Sequence, residues 1–360
     1  MTNIKKIGLS ALAGSLVAFS ANAAEMSVSG GSEITYTSGK PAATIGDEAT
    51  TSLGFDTDIT FSGSGEVNGM DVSTFVAYSD AAAFESAAIT IDMGSLGTIG
   101  LGKGGGTNIN GGYDETYPRA WEENSDAGGN SPSDYVGNYA DGNGIVYNFP
   151  AFEVAGVSIA AGAEYSLQSG SDTAANGGKV ARSTTAGDAY GVGVTASTAG
   201  FTFGAYVSEG ENLTHGSTTP RDDIFSGSAF VNYSAGPVSV GYQKTHVNSG
   251  LDGTSSATTA AKTVGTSGGV FEDESMSIAF NVNENLSISY AETESLYSES
   301  AIVAGTNTSY NVTQDTDSIQ IAYSMGAMSI KAYRTEITNP YHDEDAADVE
   351  ATEIAIGLAF

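Results

Sequence analysis

The chain has 360 residues, with 12 Lys+Arg against 43 Asp+Glu, a formal charge of −31, and no cysteine. So acidic a protein repels phosphate backbones, which excludes nucleic acid as a partner, and the lack of thiols excludes disulfides, thiol catalysis and cysteine-ligated metal. Glycine is abundant (47), proline sparse (7), and Tyr (18) and Phe (14) outnumber the single Trp121, a mixture that suits twisted strands and turns better than helices.

Residues 1–23 read as a secretory signal: Lys5 and Lys6, an apolar stretch over 7–19, then the small-residue site Ala21-Asn22-Ala23, with cleavage expected before Ala24. The apolar run is shorter than the roughly 18 residues that span a bilayer as a helix. Its removal takes out two lysines and no acid, leaving 10 Lys+Arg against 43 Asp+Glu over 24–360. No later stretch is long and apolar enough for a spanning helix, so a membrane-spanning form has to be a closed barrel.

Residues 52–62 alternate cleanly. Leu53, Phe55, Thr57, Ile59 and Phe61 share one face, and Gly54, Asp56, Asp58, Thr60 and Ser62 share the other. Two aspartates on the second face do not belong in a dry core, so the pattern predicts a strand wet on one side. The same pattern returns at Val157/Ile159/Ala161/Ala163/Tyr165, Phe201/Phe203/Ala205/Val207, Met276/Ile278/Phe280/Val282 and Leu286/Ile288/Tyr290, and more weakly at ten further places. It ends with Ile354, Ile356, Leu358 and Phe360, so that the chain finishes on a strand that has to pair with something, the first strand being the obvious partner. The total is sixteen strands.

Short turns are predicted near 65–69, 94–97, 151–156, 198–200, 234–237, 283–285 and 324–327. Long polar connections are predicted near 39–51, 104–143, 168–187, 211–224, 248–272, 298–313 and 339–348, with one short connection at 80–84. Short turns at one end and long loops at the other define the expected fold: an all-β, 16-stranded antiparallel transmembrane β-barrel with short periplasmic turns and long extracellular loops, wide enough for an aqueous channel. The alternative is a secreted or surface adhesin with a β-sandwich or solenoid fold, since amphipathic strands also cover soluble cores.

The signal segment, the mature start Ala24-Glu25-Met26-Ser27-Val28-Ser29-Gly30, the segment Gly94-Ser95-Leu96-Gly97-Thr98-Ile99-Gly100-Leu101-Gly102-Lys103 and the final strand ending in Phe360 resemble the general diffusion porins of Gram-negative outer membranes, of the alphaproteobacterial type. The resemblance is one of layout over the whole mature chain. It implies a usually trimeric barrel for passive diffusion of ions and small hydrophilic solutes, set among outer-membrane lipid and lipopolysaccharide. It also implies that Phe360 is the terminal aromatic read by the outer-membrane assembly machinery, and that the third long loop, 104–143, folds inward and narrows the channel.

That loop has 40 residues and holds Asp114, Glu115, Glu122, Glu123, Asp126, Asp134 and Asp141 with one base, Arg119, and Trp121. Connections of such length without regular structure are uncommon and often functional. The polar strand faces add Glu33, Asp56, Asp58, Asp92 and Glu164, with Lys331 as the main basic exception. An acidic constriction beside acidic walls favours cations. Many such porins set an arginine cluster on the wall opposite the acidic loop; here the only base in the first four strands is Lys40, in a loop, so the expectation is a net-negative sieve without that transverse field. A solvated surface loop is the rival account of the acids, and packing is the expected role of Trp121.

A substrate-specific channel is the alternative within the same fold. Asp343-Glu344-Asp345 with Asp348 is a candidate for Ca²⁺, or for a Ca²⁺ bridge to lipopolysaccharide, but without EF-hand spacing it fits a charged outer loop better. No cofactor and no catalysis are expected: His215, His246 and His342 are far apart, no serine sits in a nucleophile-elbow sequence, and the run 102–107 has the wrong order for a phosphate loop.

Overall fold

The computed structural model describes residues 25–40, 50–79, 83–104, 107–122, 124, 135–137, 144–167, 186–212, 222–250, 261–262, 268–303 and 306–360. The proposed signal segment, Glu123, Asp126, Asp134 and Asp141 lie outside them. Seventeen strand segments form one antiparallel sheet. They are β1 (Glu25–Lys40), β2 (Thr50–Val67), β3 (Met70–Ser79), β4 (Ala83–Asp92), β5 (Thr98–Lys103), β6 (Gly144–Asn148), β7 (Phe152–Val154), β8 (Val157–Ser166), β9 (Ala186–Thr198), β10 (Phe201–Asn212), β11 (Ile224–Ala235), β12 (Val238–Asn248), β13 (Val270–Asn281), β14 (Leu286–Val303), β15 (Thr306–Met325), β16 (Met328–Thr338) and β17 (Val349–Ala359).

β6 and β7 are two halves of one stave. Both pair with β8, Asn148 opposite Gly162 and Phe152 opposite Ile159, and the break between them falls at Pro150, which has no N–H for a ladder. The wall therefore has sixteen staves. It closes where β1 meets β17, from Gly31 opposite Ala359 to Lys40 opposite Glu350, and Gly30 and Phe360 exchange two backbone hydrogen bonds of 2.8 Å. The expected pairing of the last strand with the first is therefore present, and closure leaves no open edge.

Most large hydrophobic side chains of the strands point outward. Leu53 is 78% exposed, Phe55 65% and Ile319 60%, while Gln243, Ser275, Ser295, Thr316, Gln320 and Thr335 are buried on the inner face. A water-soluble protein has the reverse arrangement; an apolar exterior around a polar interior suits a barrel surrounded by hydrocarbon.

Two-residue turns join several hairpins, with both residues left-handed at Asn68-Gly69, Ala155-Gly156 and Ala199-Gly200. That geometry matches the twist of paired strands. Two sequence expectations need adjusting. The predicted turn at 151–156 shrinks to Ala155-Gly156 because residues 152–154 rejoin the ladder. The predicted loop at 298–313 is mostly strand, since β14 and β15 keep pairing out to Val303 and Thr306: polar Ser/Thr/Asn sequence hides a ladder made by backbone groups.

Candidate functional site: a loop laid along the inner wall

The connection after β5 starts beneath β8. Glu164, buried on the inner face of β8, accepts the Ile109 backbone N–H at 2.8 Å and the Tyr206 hydroxyl at 2.5 Å. The chain then runs along the inside of the wall. Tyr113 stacks on Tyr206 at 5.3 Å between ring centres and leans on Phe230 at 6.2 Å, and with Val136, Val247, Phe271 and Tyr297 these rings form a buried apolar cluster on the lumen side. Burial pushes the Tyr113 phenol above its ordinary pKa.

Past Tyr113 the anchor is Gln243 on β12. Its carbonyl accepts from Thr116 N–H at 2.7 Å and Thr116 Oγ1 at 3.0 Å, and its amide donates to the carbonyls of Tyr113 (2.8 Å) and Asp114. Asn232 donates to Thr116 O at 2.7 Å, and Ser228 to Tyr113 O. Further on, Ala120 N–H donates to Ser289 on β14 at 2.8 Å, Trp121 N–H to Gln320 on β15 at 2.8 Å, and the Gln320 amide to Glu122 O at 2.6 Å. From the other limb, Gly137 N–H donates to Ser226 on β11 at 2.9 Å. These anchors spread the described loop residues around the interior from β8 to β15.

Small inward residues make room for this course. A Cβ on Gly193 would stand 2.5 Å from the Tyr113 ring, and one on Gly241 would collide with Pro118 and Asn232. Glycine at these inward positions is what lets the loop backbone lie on the wall.

The predicted loop residues take different positions. Glu115 is 3% exposed and accepts the Tyr117 hydroxyl at 2.9 Å. Burial, with the Glu115 charge second, pushes the Tyr117 phenol well above its usual range, so it stays a neutral donor. Arg119 donates to the Glu115 carbonyl and lies over the Tyr117 ring at 5.8 Å. Asp114 accepts from Glu115 N–H at 2.8 Å, and Asp114 and Glu122 are half-buried. Trp121 packs on Tyr333 of β16 at 5.4 Å, with the Lys331 ammonium 4.9 Å from its ring centre.

Lys331 also pairs with Glu33 of β1 at 2.7 Å. Glu33, Asp56, Asp58 and Lys331 thus come together across the closing seam, on a concavity of about 450 Å³. Gly357 faces them: a Cβ there would come within 2.9 Å of the Glu33 carboxylate. Asp92 sits apart, accepting Gly94 N–H at 2.8 Å at the β4–β5 turn. Among the described residues no group of three or more His, Asp or Glu side chains could hold a metal ion.

No protein-family model matches this sequence, and no curated protein matches it. Solved structures match over nearly the whole chain. Salmonella typhi OmpF, determined in complex with daunomycin, is 12% identical, covers 94% of this chain and 99% of its own, and superposes with a TM-score of 0.67. The outer-membrane channel DcaP of Acinetobacter baumannii is 11% identical over 94% and 97%, TM-score 0.60. An anion-selective porin from Comamonas acidovorans is 12% identical over 94% and 100%, TM-score 0.59. The chain has the closed, sixteen-stranded barrel fold seen in these outer-membrane porins and channels.

Proposed function

We propose that this chain is a general diffusion porin: a water-filled barrel in the outer membrane of a Gram-negative bacterium, passing ions and small hydrophilic solutes by diffusion, with cations favoured. The observation that carries the reading is the loop. A connection anchored inside the barrel by Glu164, Gln243, Ser289 and Gln320 narrows the lumen, while the wall of β1–β4, with Glu33, Asp56 and Asp58, carries no cluster of bases of its own. Charged groups at a narrowing select ions by sign. The Comamonas porin, of similar fold, is anion-selective, so the fold does not fix the sign; the lining residues do. In this reading residues 1–23 direct export, 104–143 form the constriction with Asp114 and Glu122 among its acids, Phe360 marks the chain for the assembly machinery, and three copies associate. Membership of the alphaproteobacterial type and contact with lipopolysaccharide belong to the same proposal. The chemistry is transport through a passage, with no catalytic step.

The test is the reversal potential of the refolded protein in a planar bilayer under a KCl gradient. Ohmic steps with K⁺ passing more readily than Cl⁻ are expected. Anion preference sinks the acidic-lining argument. Inserted, folded protein that does not conduct sinks the channel, and failure to insert favours the secreted β-rich alternative.

A further inference from the structure

The connection between β16 and β17, residues 339–348, turns into the barrel mouth. Asn339, Tyr341 and His342 have φ of 49°, 58° and 52°, the left-handed region that is costly for residues with a Cβ. What holds this segment in place is the ring of His342. It is fully buried, edge-on to Phe271 of β13 at 5.4 Å and 6.1 Å from Tyr297 of β14, with Nε2 2.9 Å from Ser295 Oγ. Its Nδ1 is buried without a hydrogen-bond partner among the described residues. Three bonds pin the flanks: Tyr341 N–H to Gln314 at 2.8 Å, Asn339 Nδ2 to Thr313 O at 2.9 Å, and Lys262 N–H to Tyr341 O at 2.7 Å. Phe271, Ser295, Tyr297 and Gln314 are all buried inward-facing residues, so the segment covers part of the channel entrance at the long-loop end.

We propose that this segment is an acid-released cover of the barrel mouth, with His342 as its catch: charging the imidazole makes its apolar seat untenable, and the strained backbone leaves the mouth. Lys262 opposes protonation and the hydrogen bond to Ser295 favours it; the acids carried nearby are Asp273, opposite Ser295 on β13, the adjacent Asp343, and Glu299 on β14, whose carboxylate is engaged by the Tyr297 hydroxyl at 2.6 Å. On β12 and β15 the inward residues opposite Phe271 and Ser295 are the neutral Val247 and Gln314. Burial outweighs the Ser295 hydrogen bond and lowers the docked ring from 6.5 to about 4, with Lys262 adding to the fall. Because the docked value lies below the free one, docking is fully stable above about pH 6.5 and weakens as pH falls toward 4. From pH 6.5 to pH 4 the ratio of released to docked forms rises about 80-fold, and below pH 4 it approaches a limit of about 300-fold over its high-pH value.

The chain has no cysteine, so an introduced thiol is unique. Ser295→Cys puts one beneath the ring, and Asp345→Cys, on the exposed flank of the same segment, reports the reagent's own pH dependence. The ratio of the two labelling rates, with a water-soluble thiol reagent on refolded protein, is expected to rise at least tenfold from pH 7 to pH 4.5. It should stay flat when Ser295→Cys is combined with His342→Gln, and rise less with Lys262→Met, which removes the repulsion. Step conductance of the unaltered protein is expected to rise over the same window. A flat ratio in the single variant, or the same rise with His342→Gln, overturns the catch. A rising ratio at constant conductance overturns the cover. Protein that conducts at no pH counts against the porin reading alone, since labelling still decides whether the segment is released.

Discussion

Replacing Gln243 with Leu tests whether the loop is held to the wall by the contacts described. Leucine fills similar space but offers no polar atom to the four loop groups that Gln243 serves: Thr116 N–H, Thr116 Oγ1, and the carbonyls of Tyr113 and Asp114. Two of these have other recourse. The Tyr113 carbonyl still receives the Ser228 hydroxyl, and the Thr116 hydroxyl can rotate. The Thr116 N–H and the Asp114 carbonyl lose their Gln243 partner, at a cost of about 1–3 kcal/mol each when buried. Taking about 3 kcal/mol in all, local opening at Thr116 becomes on the order of 100-fold more frequent. The more distant anchors at Ala120, Trp121 and Gly137 remain, so the opening is local and the barrel keeps its closure. Amide exchange at Thr116 reads the opening directly, with the amides of the β12 ladder as internal controls. Step conductance should rise with it, since the loop no longer lies flat against the wall. Unchanged exchange at Thr116 in a variant that retains its folded, heat-modifiable mobility refutes the anchoring argument.

Lys331→Met removes the 2.7 Å pair with Glu33 and the cation above Trp121, loosening the loop tip by about 1 kcal/mol and adding one net negative charge to the lumen. The reversal potential under a KCl gradient should move further toward K⁺; a shift toward Cl⁻ contradicts the charge argument. Deleting Phe360 removes both Gly30 hydrogen bonds at the seam, a loss of about 2 kcal/mol where the barrel closes. The folded fraction on refolding, read by heat-modifiable migration, should fall, and an undiminished yield shows that the seam closes without that residue.

Much of this architecture is legible in the chain, because a barrel in hydrocarbon obeys a simple rule. Leu53, Phe55 and Ile59 alternate with Gly54, Asp56 and Asp58 since one set faces lipid and the other water, and period two follows from the pleat alone. The legibility ends where polarity stops discriminating. Many inner-wall residues are polar, so Gln243, Gln320, Ser228 and Ser289 look no different in the sequence from the polar residues beside them. Their roles exist only once the register of β11, β12, β14 and β15 sets them opposite one stretch of loop. Glu164 is readable as a wall acid but not as the anchor of Ile109, for the same reason. The glycines carry a faint signal: Gly191, Gly193 and Gly241 are inward positions on strands where a side chain would strike Tyr206, Tyr113 or Pro118. A missing side chain on the wet face of a strand marks a place where something else in the barrel comes close, and by that pattern an inward loop can be sought in an amino-acid sequence. His342 follows the same logic from the opposite direction. In sequence it is a lone histidine beside three acids, and only the fold shows that its ring points away from them into Phe271 and Tyr297.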